Sequence, residues 1–546
     1  MPSRTDRSAR AHAPLGPTNA CRPLRPTEPG AATTTASSTS FRPSTAVLAG
    51  LAIASLALLG CDDPDDGEPA TASPTFDADP DCFGVDVAAT DPDEVTCGTV
   101  TVPLDHDTPE AETIDLAVAT VAGGSDAAPI VVLGGGPGET VVESALADPD
   151  HLGLYTAADR DVVLLDQRGV GLSSPELSCT ALGDIELGTV LDHDEYLEAL
   201  TACREELTDA GVDLDAFDHS GNARDVHAVR EALGHEVVLR GSSYGTHLAL
   251  HAASLDPEGI EALVLSSPAD PSDNYVQHMA GGFQDALNRI ADACAADERC
   301  SEPFGDLQEA IDDVVDRLAD APEEVTAASP LGGDEVTRTY TPRSFLDAVF
   351  MVPYAPDGAA FLPALVHQAR EGDLEPIAGL HALLEEGMAD LPRGMYHSMV
   401  CTGEAAAFDR EAARESVHWT AVEDHWFEHA TIGGARNDAA CELWDVATSF
   451  DPAELTLADD VPALIVTGGF DHVTPPETGE RLHAELATSY LVEVPTLAHA
   501  PLEGLDLFGG CGTSIVEDFL DDPAAEPDTG CVEQVPDRDE LGSWYG

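Results

Sequence analysis

From about residue 97, short apolar runs alternate with helix-spaced segments, and several of the runs break off in glycine-rich turns. Pro129–Leu133 (PIVVL) leads into Gly134-Gly135-Gly136-Pro137-Gly138, and Asp161–Leu165 (DVVLL) into Asp166-Gln167-Arg168-Gly169. Residues 221–233 have helical spacing. Glu236–Leu239 is a strand run, followed by a glycine-rich turn, a helical stretch over 246–255 and a further strand run at Glu261–Ser266. Strands that are apolar along their whole length are buried on both faces. This arrangement predicts an α/β fold, a mostly parallel sheet with helices on both faces. Gly98–Pro103 and Thr113–Val121 read as a hairpin ahead of it. The rhythm stops over 271–455, which reads as helices such as 306–319 and 376–389, and resumes at Val461–Thr467 and Tyr490–Val494. The expected organisation is a core over 96–270, a helical lid inserted over 271–455, and the rest of the core with a C-terminal tail over 456–546.

The N-terminus has a different character. Residues 1–44 are rich in Pro, Thr, Ser and Arg, and Thr45–Leu59 is an apolar run too short for an ordinary membrane span but suited to a signal peptide. Leu58-Leu59-Gly60-Cys61 resembles a bacterial lipobox, although Leu59 is bulkier than usual there. Residues 1–60 are therefore expected to be a lipoprotein-type signal peptide and Cys61 the lipidated residue. A plain cleaved leader with Cys61 incidental is the alternative. The stretch ahead of the apolar run is long for a leader, which leaves a start downstream of Met1 open. Residues 61–95 begin acidic and Pro-rich and are expected to form a disordered tether.

Acidic residues number 102 against 24 basic ones, a formal net charge of -78, and no lysine occurs. Such a surface repels phosphates and anionic membranes, which excludes a nucleic-acid partner and leaves a lipid anchor as the expected membrane contact. Setting aside Cys21 and Cys61, ten cysteines remain, an even number that favours disulfides in an exported chain. Sequence alone does not fix the connectivity; sequential pairing, in which each bridge closes a short loop, is the expectation: Cys82–Cys97, Cys179–Cys203, Cys294–Cys300, Cys401–Cys441 and Cys511–Cys531. No Cys-x-x-Cys or His-x-x-His spacing marks a metal site, and no cofactor is expected.

The chemistry centres on Gly241-Ser242-Ser243-Tyr244-Gly245, a G-x-S-x-G sequence with a strand running in and a helix running out. A serine held on a strained strand–turn–helix bend needs small neighbours, and that context separates the motif from an ordinary glycine-rich turn. A serine hydroxyl is a weak nucleophile until an imidazole takes its proton, and an acid must hold that imidazole in one tautomer. In chain order Ser–acid–His, Asp471 follows one late strand and His499 the next, both at carboxyl ends of strands. His247, His472 and His483 are rival histidines, with His472 expected on a surface loop. Backbone amides of Tyr244 and of the Gly134–Gly138 loop are the expected oxyanion donors. That loop lacks the Lys-Ser/Thr of a phosphate-binding loop.

GGGPG, DQRGVGLSS, RDVHAVREALG leading to GSSYGT, GGFDHVTPP and LAHAP occur in an order that resembles the proline iminopeptidase branch of the α/β-hydrolase fold, and most of all secreted tripeptidyl aminopeptidase-like serine peptidases. The resemblance spans about residues 95–520. It implies Ser243 as nucleophile, Asp471 as acid, His499 as base, and Gly136 with Tyr244 as oxyanion donors. Asp166 and Arg168 would be structural residues near the site. It further implies a peptide substrate with a free N-terminus, bound beneath the lid. Cys401 in MVCTGE and Cys441 in CELW resemble a cysteine pair of that group. Gly134 stands where the family commonly has His, and Glu139-Thr140 where small residues are usual, which puts the substrate pocket in doubt. An esterase or lipase acting on small acyl esters with the same triad is the second reading. A binding protein that only borrows the fold is the third.

Overall fold

The computed structural model describes residues 74–545, apart from 89, 92–93, 184–192, 331–334, 356, 388–390, 431–432 and 451–454. The signal peptide and the lipidation expected at Cys61 lie outside the described residues. The strands are β1 (Phe76–Ala78), β2 (Val95–Pro103), β3 (Thr113–Val121), β4 (Ile130–Leu133), β5 (Val162–Leu165), β6 (Val237–Ser242), β7 (Ile260–Ser266), β8 (Glu323–Ala327), β9 (Val336–Tyr340), β10 (Ala463–Gly468) and β11 (Ser489–Val494). Nine of them form one sheet in the order β1-β2-β3-β5-β4-β6-β7-β10-β11. The five pairings from β5 to β11 are parallel, and those among β1, β2, β3 and β5 are antiparallel.

The inner strands β4, β5, β6, β7 and β10 are buried on both sides, as their apolar runs require, whereas the edge strand β11 exposes Glu493. In β4, Val131 and Leu133 enter the core on one face, while Ile130 and Val132 enter the core on the other. Each such side chain contributes about 1.5–3 kcal/mol on burial. The chain between β7 and β10 builds a largely separate core around Phe283, Ile311, Phe345 and Phe427. Phe470 and Ala498, from loops after β10 and β11, join that core and so couple it to the sheet.

Two expectations change. β1 lies inside the segment read as a disordered tether. Phe76 supplies an apolar side chain that packs on the sheet core, and the Cys82–Cys97 disulfide ties the following turn to β2. The insertion is not purely helical, because β8 and β9 form an antiparallel hairpin. Its alternating, partly polar residues gave no continuous apolar run.

The ten described cysteines form five disulfides in sequential order: Cys82–Cys97, Cys179–Cys203, Cys294–Cys300, Cys401–Cys441 and Cys511–Cys531. Among the described residues no helix is long and apolar enough to cross a membrane.

Candidate active site

β6 delivers Ser243 to the carboxyl edge of the sheet. Its backbone angles are φ 53° and ψ −123°, and the helix Tyr244–Leu255 starts immediately after it. The bend is possible because both flanking glycines lie in close contact with backbone. A side chain at Gly245 would strike the Leu133 carbonyl, and one at Gly241 would strike the Gly245 carbonyl. The Ser243 amide donates to the Ser266 carbonyl at 3.0 Å, which fixes the bend against the end of β7.

Asp471 follows β10 and is fully buried. Oδ1 accepts the amides of Val473 and Thr474, each at 2.9 Å, and Oδ2 accepts the Thr474 hydroxyl at 2.8 Å and the Ser267 hydroxyl at 2.7 Å. His499 follows β11, and its Nδ1 lies 2.9 Å from Asp471 Oδ2 and 3.1 Å from Oδ1. Burial alone would raise the Asp471 pKa. The charge and hydrogen bond of His499, with the Ser267 hydrogen bond, outweigh burial and hold the carboxyl well below its ordinary range. Asp471 therefore stays ionised, and its hydrogen bond to Nδ1 leaves Nε2 as the free nitrogen of His499.

The segments carrying Ser243, Asp471 and His499 converge on Ser266 and Ser267. The Ser243 amide bonds to Ser266, while the Ser267 hydroxyl serves both Asp471 and the Ala500 amide, the latter at 3.1 Å. Sequence reasoning missed these two serines. Their only signal is their place at the end of the strand after the G-x-S-x-G helix. The Ser243 hydroxyl makes no hydrogen bond to another described residue, so the hydroxyl–imidazole contact is open here. Unliganded hydrolases commonly hold that contact loosely.

Gly136 has φ 98° and precedes a cis peptide to Pro137. Among the described residues neither the Gly136 amide nor the Tyr244 amide donates to a protein acceptor, as oxyanion donors require. Glu139, unusual for the resembling family, folds back so that its Oε2 accepts the Gly135 amide at 2.6 Å. Asp166 accepts the Val141, Val142 and Leu172 amides, and Gln167 donates to the Gly134 carbonyl. Arg168 makes a two-pronged pair with Asp225 at 2.7 Å for each prong. Asp166 and Gln167 brace the Gly134–Val142 segment, while Arg168 ties its own loop to the helix His219–Leu233. The inserted segment approaches the same loop, with Leu391 near Gly136 and Pro392 near Gly138. It approaches His499 as well, since the Pro353 carbonyl accepts the His499 amide and the Tyr354 ring packs edge-on to the imidazole.

Of the rival histidines, His472 lies beside the Asp471–His499 pair, its ring centroid 6.3 Å from that of His499, and the other two are placed differently. His472, expected on a surface loop, is fully buried and packs edge-on against Phe350 and Tyr354. Burial pushes its pKa down to about 3, so it is neutral. His483 bonds to Ser489. His247 sits with His219 and Glu404 in a buried cluster beneath Tyr244, and no sequence spacing pointed to that cluster.

Residues 128–303 match the family described as the alpha/beta hydrolase fold, and residues 430–531 match the family described as TAP-like protein. The chain is similar to the serine protease Hip1 of Mycobacterium tuberculosis, at 26% identity over 82% of this chain and 90% of that one. It is similar to the tripeptidyl aminopeptidase of Streptomyces lividans, at 26% over 73% of this chain and 77% of that one. It is also similar to carboxylesterase B of Mycobacterium tuberculosis, at 25% over 75% and 81%. Sheet order, the bend at Ser243 and these relatives agree: the chain belongs to the α/β-hydrolase superfamily and is a serine hydrolase with peptidase-like relatives.

Proposed function

We propose that the chain is an exported aminopeptidase that cleaves peptides from a free N-terminus through an acyl-enzyme on Ser243. The observation that carries this reading is the buried Asp471–His499 pair at the sheet edge that also presents Ser243. His499 Nε2 removes the Ser243 proton as Oγ attacks the scissile carbonyl. The carbonyl oxygen becomes an oxyanion held by the Gly136 and Tyr244 amides. The tetrahedral intermediate collapses, the C–N bond breaks, and His499 gives the proton to the leaving amine. Water, deprotonated by His499, then attacks the acyl ester and releases the second product with Ser243 restored.

The inserted segment acts as the lid over this site, and the relatives named for peptidase activity favour a peptide substrate. The disulfides suit an oxidising compartment. A leader ending at Gly60, with a lipid on Cys61, supplies export and anchoring. The esterase reading rests on the carboxylesterase relative. Chromogenic peptides with free and with blocked N-termini, assayed beside short acyl esters, separate the two. Turnover of free-N-terminus peptides is expected, and turnover of esters alone would replace the peptidase reading with the esterase one.

A further inference from the structure

The cluster beneath Tyr244 is built from three distant parts of the chain. His219 opens the helix His219–Leu233, His247 lies on the helix that follows Ser243, and Glu404 follows the inserted helix Arg393–Thr402. All three are buried, with at most 1% exposure. Nε2 of His219 lies 3.0 Å from Glu404 Oε2, and Nε2 of His247 lies 3.3 Å from Glu404 Oε1. One donor atom from each residue falls within 4.8 Å of the other two. Gly403 permits the approach, since a side chain there would press on the His219 ring at 3.0 Å.

A hydrogen-bonded pair accounts for only half of this arrangement. His247 Nε2 and Glu404 Oε1 form a 3.3 Å ion-pair contact without the alignment of a hydrogen bond, and among the described residues neither atom has a hydrogen-bond partner. A separation of about 3.3 Å is what two ligands of one tetrahedral zinc ion show, given metal–ligand distances of about 2.0–2.2 Å. Behind the cluster, His219 Nδ1 lies 3.2 Å from the Tyr244 hydroxyl, the kind of outer contact that orients a ligating imidazole.

We infer that His219, His247 and Glu404 bind one divalent transition-metal ion, with zinc the expected occupant, which clamps the inserted segment to the helix behind the nucleophile. Two imidazoles and a carboxylate suit zinc, and the ten described cysteines, all in disulfides, offer no competing thiolate. The ion is structural and takes no part in acyl transfer, so the inference stands apart from the catalytic reading.

The test is the metal content of the full exported chain, purified without a polyhistidine tag and dialysed against metal-free buffer. About one equivalent of zinc per chain is expected. Its removal during mild unfolding should lower the melting temperature, and added zinc should restore it. X-ray absorption should show nitrogen and oxygen neighbours and no sulfur. Glu404→Gln and His247→Gln should each lose the metal. If a variant fails to fold, the metal content and absorption spectrum of the unaltered protein still decide. Less than about a tenth of an equivalent in unaltered protein, with a melting temperature indifferent to added zinc, would overturn the inference and leave a histidine–carboxylate pair.

Discussion

The Ser267 hydroxyl donates to Asp471 Oδ2 at 2.7 Å, and its oxygen accepts the Ala500 amide at 3.1 Å. One side chain therefore registers the acid loop against the loop that carries His499. Ser267→Ala should leave the fold intact at a cost of about 1 kcal/mol and lower kcat roughly tenfold with little change in KM, because imidazole orientation matters in the transition state. Steady-state kinetics beside a thermal melt reads both effects. An unchanged kcat would show that Thr474 and the two loop amides suffice to hold Asp471.

Ser243→Ala should remove turnover by roughly four to six orders of magnitude while the melting curve stays close to that of the parent. Ser242→Ala should remain active and should still be labelled by a fluorophosphonate probe. Labelling mapped to Ser242 would displace the nucleophile by one residue and overturn the acyl-enzyme assignment to Ser243.

Four buried histidines, His251, His381, His397 and His472, are pushed down to about 3 from an ordinary 6.5, chiefly by burial. Their folded-state values lie below the unfolded one. The unfolded chain thus takes up protons that the folded chain refuses, and stability falls as pH drops through the window from 6.5 to 3. Asp347, raised to about 6 chiefly by burial, works in the opposite sense, its contribution being present below its ordinary value and lost as pH rises through about 6. Four groups outweigh one. Urea unfolding at pH 7, 6 and 5 should show falling midpoints, and His397→Gln should flatten the slope by about 1 kcal/mol per pH unit. A midpoint that rises on acidification would contradict this.

Cys401–Cys441 joins the inserted helix Arg393–Thr402 to the helix Asn437–Trp444 across a sequence separation of 40 residues. In the chain-entropy account a loop of that length is worth about 4 kcal/mol. The double serine variant should melt several degrees lower under oxidising conditions. The parent under reducing conditions should lose at least as much, since all five bridges are then at risk.

With a net charge of -78, the folded chain repels itself strongly. Molar salt shortens the reach of these charges to about 3 Å, so the melting temperature should rise between low and molar salt. Flat melting curves across that range would mean that local pairing already compensates the charge.

The sequence by itself determined the alternation of strands and helices, the bend at Ser243 and the order of Ser243, Asp471 and His499. Each is written in local terms: unbroken apolar runs, glycines where backbone must touch backbone, and acid and imidazole just past strand ends. The span of β3 was legible to the residue because Glu112 precedes its alternating and apolar positions and Gly123-Gly124 breaks the run after them. Other features depended on which remote segment a side chain meets. Ser267 matters only because β7 lies beside β10, and Glu139 only because its carboxylate turns back to the Gly135 amide. His472 looked like a loop residue until Phe350 and Tyr354 of the insertion closed over it. Glu404 stands 185 residues from its partner His219, and no periodicity or spacing spans that gap. Backbone propensity acts over a few residues, whereas burial, hydrogen-bond partners and proton affinities are set by packing between distant ones.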